Sequence, residues 1–257
     1  MIRAGYGEPL LLIHGVLSSE RAWTHVVPLL ADHHDTVALT LLGHRGGSQP
    51  EREPVEADDL IDDLEQQMDA LGFDTAHLAG NSLGGWAAVD LARRGRARSL
   101  TLLSPAGCWQ PDQRARSLEL LTGIVTATRA AREHLDPLAD DPDFRRKGLS
   151  LNAVHGDRVS PAEFLAIADD VLGCALADQL AGEDRQLEPA PDLDVPITVA
   201  WAEHDNIFPP DHHVPEARSR LPQAEVVRLP DVGHVPMFDD PALVAVTILR
   251  TTGASDG

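Results

Sequence analysis

Three short stretches of this 257-residue chain carry side chains that could do covalent chemistry together. They are Gly80-Asn81-Ser82-Leu83-Gly84, Asp205 in "WAEHDN" and His234 in "DVGHVP". A serine hydroxyl is a poor nucleophile at neutral pH; it needs a base to take its proton and a carboxylate to orient that base. The order Ser…Asp…His supplies one of each. Taken singly, each residue has an ordinary explanation. Ser82 could simply cap a helix, His234 is one of 12 histidines, and Glu203 competes with Asp205 from two positions away.

Context changes the weight of the serine. G-x-S-x-G gains meaning when a strand enters it and a helix leaves it, because the turn then lifts the hydroxyl clear of a sheet edge. Here "TAHLAG" reads as the strand, and Leu83 to Arg94 as the helix. Small residues at 80 and 84 let the two crowd together. Acyl transfer also needs donors for an oxyanion, commonly two backbone N–H groups. The N–H of Leu83, after the nucleophile, is one candidate. The N–H of Val16 in "HGVLSS" is the other. Acyl transfer on a serine requires neither a metal nor an organic cofactor, and the pairs His33–His34 and His212–His213 do not match metal-site spacings such as H-E-x-x-H.

The elements that must position these groups follow from patterning. Short apolar runs at 9–14, 35–40, 98–104, 196–201 and 224–229 read as strands. Between them lie a helical stripe of Trp23, Val26, Val27 and Leu30, interrupted by Pro28, and an amphipathic helix from 55 to 71. Further helices are expected near 214–221 and from Pro241. Alternation of this kind implies a mostly parallel sheet with helices on both faces. Residues 110–192 break the rhythm: they carry helical patterns and no convincing strand, which reads as a helical insertion. Their positive run "RRK", 145–147, reads as a solvated face. Ser82, Asp205 and His234 each follow a strand, so all three meet at the carboxyl edge of the sheet, where open α/β sheets hold their sites.

Composition narrows the partners. At 43% hydrophobic and 24% charged the chain reads as globular. A net charge of −20 argues against nucleic acid and anionic membranes. The expected partner is a small-molecule substrate, and a homo-oligomer is compatible with the same composition. Two cysteines make no disulfide framework. No run is long enough for a membrane span, and "MIRAGYGEP" lacks the apolar segment of a signal peptide, which points to the cytoplasm.

Over nearly its whole length the chain resembles the α/β-hydrolase fold family. "LLLIHG", "GHRGGS", "GNSLGG", "WAEHD" and "GHVP" carry the resemblance, in the family's order and on the matching elements. It implies Ser82 as nucleophile, Asp205 as triad acid, His234 as general base, and Val16 and Leu83 as oxyanion donors. It also implies a core of residues 1–109 and 193–257, with a helical cap, 110–192, inserted after the sixth family strand. Trp109, Phe144 and Phe164 would wall the substrate pocket. His14 and His44 would be structural.

Two departures from the family pattern stand out. Only eight residues precede Pro9, so the usual N-terminal hairpin is missing or reduced to something near Ile2–Ala4. Strand 35–40 should then be an exposed edge unless the terminus or a partner covers it. Thr40 stands where members often carry aspartate, which makes that loop less polar.

Epoxide hydrolases and haloalkane dehalogenases of this fold use aspartate at the elbow; serine favours acyl chemistry. The expected reaction is hydrolysis of carboxylic esters of small or medium apolar acyl groups. A C–C bond hydrolase, a lactonase, a cofactor-free perhydrolase and a non-turnover ligand sensor are the alternatives on the same three residues.

Overall fold

A computed structural model describes residues 1–179 and 186–254. Seven strands form one sheet: β1 (Ile2–Ala4), β2 (Glu8–Ile13), β3 (His34–Leu39), β4 (Ala76–Asn81), β5 (Ala97–Leu103), β6 (Ile197–Ala202) and β7 (Glu225–Leu229). Their order is β1-β3-β2-β4-β5-β6-β7, parallel throughout except for β1. The β2 run shows why the sheet is buried on both faces. Leu11 and Ile13 join one core cluster, while Leu10 and Leu12 join the other. Successive strand side chains point to opposite faces, so an unbroken apolar run serves two cores at once.

The helices divide between those faces. α1 (Val27–Leu30) covers one of them, where Trp23, Val26, Val27 and Leu30 are all buried as one stripe. α2 (Ala57–Leu71) buries Ile61, Leu64 and Met68 against the other face, beside α3 (Leu83–Arg93). Between β5 and β6 run α4 (Pro111–Ala131), α5 (Pro142–Gly148) and α6 (Pro161–Leu172), with no strand among the described residues. After β6 come α7 (Pro210–Arg220), α8 (Pro236–Asp239) and α9 (Pro241–Thr252). Among the described residues no helix is long and apolar enough to cross a membrane.

Two expectations are refined. The edge of β3 is not bare: Ile2, Arg3 and Ala4 pair antiparallel with Ala38, Val37 and Thr36. Arg3 also makes two hydrogen bonds to the Asp35 carboxylate, at 2.8 and 2.6 Å. A three-residue strand thus satisfies the backbone groups that an edge would leave open. The positive run at 145–147 is not one solvated face either. Arg145 is buried and donates to the carbonyls of Val159, Ala139 and Asp157, pinning the loops around α5. Its five fixed donors suit three carbonyls that converge from different turns.

Three buried histidines couple this fold to pH. Burial holds His14 well below the usual histidine value of 6.5, with neighbouring His44 acting in the same direction. Burial also lowers His34 and His213. The unfolded chain takes up these protons near pH 6.5 while the folded chain resists them, so folding stability is full above that value and lost as pH falls below it. The urea midpoint should therefore drop between about pH 7.5 and about pH 5.5; a flat or rising midpoint over that interval would contradict the assignment.

Candidate active site

The turn at Ser82 is built by two close approaches. A Cβ on Gly80 would lie 2.2 Å from the carbonyl oxygen of Gly84, and a Cβ on Gly84 would lie 2.2 Å from that of Ile13. Only hydrogen fits at either position. β4 can therefore enter, and α3 leave, with Ser82 held at φ 54°, ψ −117°. A non-glycine residue there stores about 1–3 kcal/mol of strain, which the surroundings must offset. They do so with hydrogen bonds. Ser82 N donates to Leu103 O at 3.0 Å, while Ser82 O accepts from Gly85 N, Trp86 N and Ala106 N.

Asp205 and His234 meet beside it. Asp205 Oδ2 lies 2.7 Å from His234 Nδ1. The other oxygen, Oδ1, accepts from Ile207 N at 3.0 Å and Phe208 N at 2.7 Å, so the carboxylate is fixed by its own turn. Ser82, Asp205 and His234 are 5%, 3% and 4% exposed. A charge-bearing hydrogen bond this far from water is stronger than a surface pair. Glu203, the rival acid, is exposed and accepts from Asp231 N instead. Ser82 and His234 line the same cavity.

Two supports went unmarked in the sequence. Asn81 Nδ2 donates both to Leu103 O at 3.1 Å and to His234 O at 2.9 Å, joining the serine turn to the histidine loop. Phe208 sets its ring edge-on to the His234 imidazole, 4.8 Å between centroids. Asn81 sat within the motif, but nothing in its type showed that it reaches 153 residues along the chain.

Val16 lines both cavities that reach Ser82, and Leu83 lines one of them. Among the described residues neither backbone N–H has a protein acceptor within hydrogen-bond reach. His14 is spent on structure: Nδ1 meets Gly15 O at 2.7 Å, and Nε2 accepts from Leu41 N at 3.0 Å. His44 packs edge-on against it, with Nδ1 on Leu42 O. Burial pushes the Cys108 thiol up to about 12 and raises Cys174 as well, so neither is a thiolate nucleophile at neutral pH. Among the described residues no three His, Cys, Asp or Glu side chains gather into a metal-holding group.

The aromatic expectations divide. Trp109 lines the second of the Ser82 cavities and packs against Phe208 at 5.5 Å. Phe144 and Phe164 line neither of these cavities. They pair edge-to-face at 6.0 Å and line a separate cavity among α4, α5 and α6. That cavity shares Ile124, Asn152, Ile167 and Val171 with the larger of the Ser82 cavities.

A second buried carboxylate fastens this helical segment to the histidine loop. Asp239 accepts from Gly233 N and His155 N, both at 2.7 Å, and from Val154 N at 3.1 Å. Val235 N donates to Asn152 O at 2.7 Å. A Cβ on Gly233 would stand 2.8 Å from that same oxygen. His234 is thus flanked on both sides by contacts that involve residues 152–155. Asp240 caps α9, accepting from Leu243 N at 2.8 Å. Its neighbour Asp239 turns inward, which an acidic pair does not reveal.

Comparison with known proteins adds to this geometry. Residues 8–241 match a family described as "alpha/beta hydrolase fold". The chain is 36% identical over 195 residues to Epoxide hydrolase EphH of Mycobacterium tuberculosis, covering 74% of this chain and 91% of that one. To Lipase 3 of Moraxella sp. it is 26% identical over 242 residues, covering 91% and 73%. A thermophilic esterase from Thermogutta terrifontis superposes with TM-score 0.72 at 24% identity, over 98% of this chain and 92% of that one. A meta-cleavage product hydrolase from Pseudomonas fluorescens IP01 gives TM-score 0.75 at 16% identity, over 99% and 94%. At these identities the two structures speak for the fold alone.

Removing the Asp239 carboxylate should leave three N–H groups without their acceptor, whereas removing Asp240 deletes one helix cap. Asp239→Ala should therefore cost about 3 kcal/mol of folding stability and Asp240→Ala about 1 kcal/mol. Equal urea midpoints for the two variants would refute the clamp.

Proposed function

Because this chain belongs to the α/β-hydrolase fold family and is a hydrolase, we propose that it cleaves carboxylic esters of small or medium apolar acyl groups through an acyl-enzyme on Ser82. The observation that carries this reading is the buried 2.7 Å contact between His234 and Asp205, opening on the cavity that holds the strained Ser82.

In this mechanism His234 takes the proton of Ser82 as its oxygen attacks the substrate carbonyl. Asp205 holds the imidazole in the tautomer that presents Nε2 and stabilises the imidazolium. The N–H groups of Val16 and Leu83 receive the oxyanion, each worth roughly 3–4 kcal/mol in such sites. His234 then protonates the leaving oxygen, and water, activated by the same imidazole, releases the acid. No metal or organic cofactor enters any step. Residues 110–192 act as a cap on the core of 1–109 and 193–257; in support, Leu121 of α4 and Ile167 and Asp170 of α6 wall the Ser82 cavity. The acidic surface suits a small-molecule substrate rather than nucleic acid or membrane, and the composition suits the cytoplasm.

The relative named as an epoxide hydrolase does not redirect this reading. A carboxylate that opens an epoxide forms an ester, whose carbonyl water can attack. A serine alkoxide would form an ether, with no carbonyl to hydrolyse, and the site would be blocked after one event.

The test is steady hydrolysis of p-nitrophenyl butyrate, abolished in Ser82→Ala. Asp205→Asn should lower kcat about 10⁴-fold by analogy with other triads, while Glu203→Gln stays near wild type. A fluorophosphonate should label Ser82 and neither cysteine. One stoichiometric burst without further product would point instead to a ligand sensor. Faster turnover of a vinylogous diketone than of any ester would point to C–C hydrolysis.

A further inference from the structure

The loop that carries Val16 is fastened at both ends, and only one fastening belongs to the sheet. At its start His14 directly follows β2, and its Nε2 accepts from Leu41 N at 3.0 Å. At its end Ser19 is fully buried, and its Oγ donates to Asp170 Oδ2 at 2.5 Å. Asp170 belongs to α6, 151 residues further along the chain. Between these anchors run Gly15, Val16, Leu17 and Ser18. The stretch lies against the serine turn: a Cβ on Gly15 would stand 3.2 Å from Ser82 Cβ.

Two observations show that these residues do not hold their path unaided. Leu17 sits at φ 64°, a conformation that an L-residue avoids and leaves when nothing holds it. Its side chain is packed in a small apolar cluster that includes Val171 of α6, with Cys174 and Leu176 just beyond that helix. Val16 N–H has no protein acceptor among the described residues, so no local hydrogen bond fixes its direction.

Asp170 is itself a fixed point. It is 3% exposed, and its second oxygen, Oδ1, accepts from Arg21 Nη1 at 2.9 Å and from Arg45 Nη1 at 3.0 Å. One oxygen is thus held by two guanidinium groups while the other holds the serine. A hydroxyl that donates to a carboxylate at this length makes one of the stronger hydrogen bonds. Ser19 in turn caps the short helical turn Glu20–Trp23, accepting from Arg21 N at 3.3 Å. The direction in which the chain leaves Leu17 is therefore set from α6.

We infer that Asp170 is a positioning residue for the oxyanion: through Ser19 it holds residues 15–18 in the strained path that presents Val16 N–H beside Ser82. This rests on the reading above of Ser82 as nucleophile and Val16 N–H as oxyanion donor. Asp170 also lines the larger Ser82 cavity, whereas Ser19 lines neither cavity. A loss produced at Ser19 therefore acts through the loop and not through contact with substrate. The donor at Val16 is in place only while α6 is seated.

The experiment uses the full chain and two readouts. The first is hydrolysis of p-nitrophenyl butyrate, with kcat taken per folded chain from circular dichroism. The second is inhibition by butyl trifluoromethyl ketone and by butyl methyl ketone. With the fluorinated ketone, Ser82 Oγ bonds to the carbonyl carbon, the hydroxyl proton passes to His234, and the carbonyl π pair becomes a charged oxygen. The methyl ketone binds without that step. Ser19→Ala and Asp170→Ala should each lower kcat and kcat/KM together by about thirtyfold, part of the roughly 10²–10³-fold cost of losing a donor outright. Both should weaken the fluorinated ketone by about the same factor and leave the methyl ketone within about twofold of wild type. Asp170→Asn, which can still hydrogen-bond Ser19, should recover to within about fivefold of wild type. Arg132→Gln, which releases Asp169 of the same helix, should leave kcat and both inhibition constants unchanged.

Wild-type kcat in Ser19→Ala, or an equal loss for both ketones, would overturn the inference alone. So would a loss in Arg132→Gln as large as that in Ser19→Ala, because the effect would then belong to α6 as a whole. Should Asp170→Ala fail to fold, Ser19→Ala and Asp170→Asn still decide the matter by the same criteria. Absence of Ser82-dependent turnover in wild type would overturn the ester reading, and the ketone ratio would still judge Asp170. A wild type with neither turnover nor a preference for the fluorinated ketone would overturn both.

Discussion

The crossing of β4 and α3 at Gly80 and Gly84 is the constraint on which the other features depend. With side chains barred from both positions, backbone meets backbone at distances that no Cβ would tolerate. Ser82 has only one way through, a positive φ that an L-residue avoids. The strain is tolerable because a large core surrounds it. Leu11, Ile13, Leu78, Val89 and Leu102 lie in one contiguous apolar cluster, each at or below 1% exposed. Core packing thus holds a local conformation that the loop alone would abandon, and the hydroxyl's aim is a property of the whole sheet.

Asp205 and His234 are held by individual hydrogen bonds instead. Asp205 is fixed by two N–H groups of its own turn. His234 is held through Asp205, through Asn81 and through the bonds that Asp239 and Val235 make with residues 152–155. A rigid scaffold with the reacting groups on anchored loops is the usual division of labour in α/β proteins. Here residues 152–155, in the loop between α5 and α6, contribute to the anchoring.

Legibility in the sequence followed the same division. The strands were readable because a strand buried on both faces must be apolar throughout, as "PLLLIH" is. Ser82, Asp205 and His234 stood out as candidates because the three types each follow a strand, in the chain order of the family that the sequence resembles. Phe144 and Phe164 were less legible, because an aromatic side chain between β5 and β6 looks alike whether it faces a cavity or another helix. Arg145 misled in the opposite sense: a cation in a charged run gives no sign that three carbonyls await it inside. Asn81 and Asp239 act across long separations, and no local pattern records a hydrogen bond between distant loops. The three-residue β1 was visible only as a possibility, since it is too short to show alternation.

The Asp239 clamp also bears on how such a molecule can be recombined. Residues 152–158 and 233–239 form a single mating surface, although one lies between β5 and β6 and the other follows β7. A chimera that swapped the insertion for a relative's, with junctions placed at its ends, would split this surface between two parents. His234 would inherit a mismatched bearing even though Ser82 and Asp205 had been left in place. Viable exchange would have to carry both segments as one inherited unit.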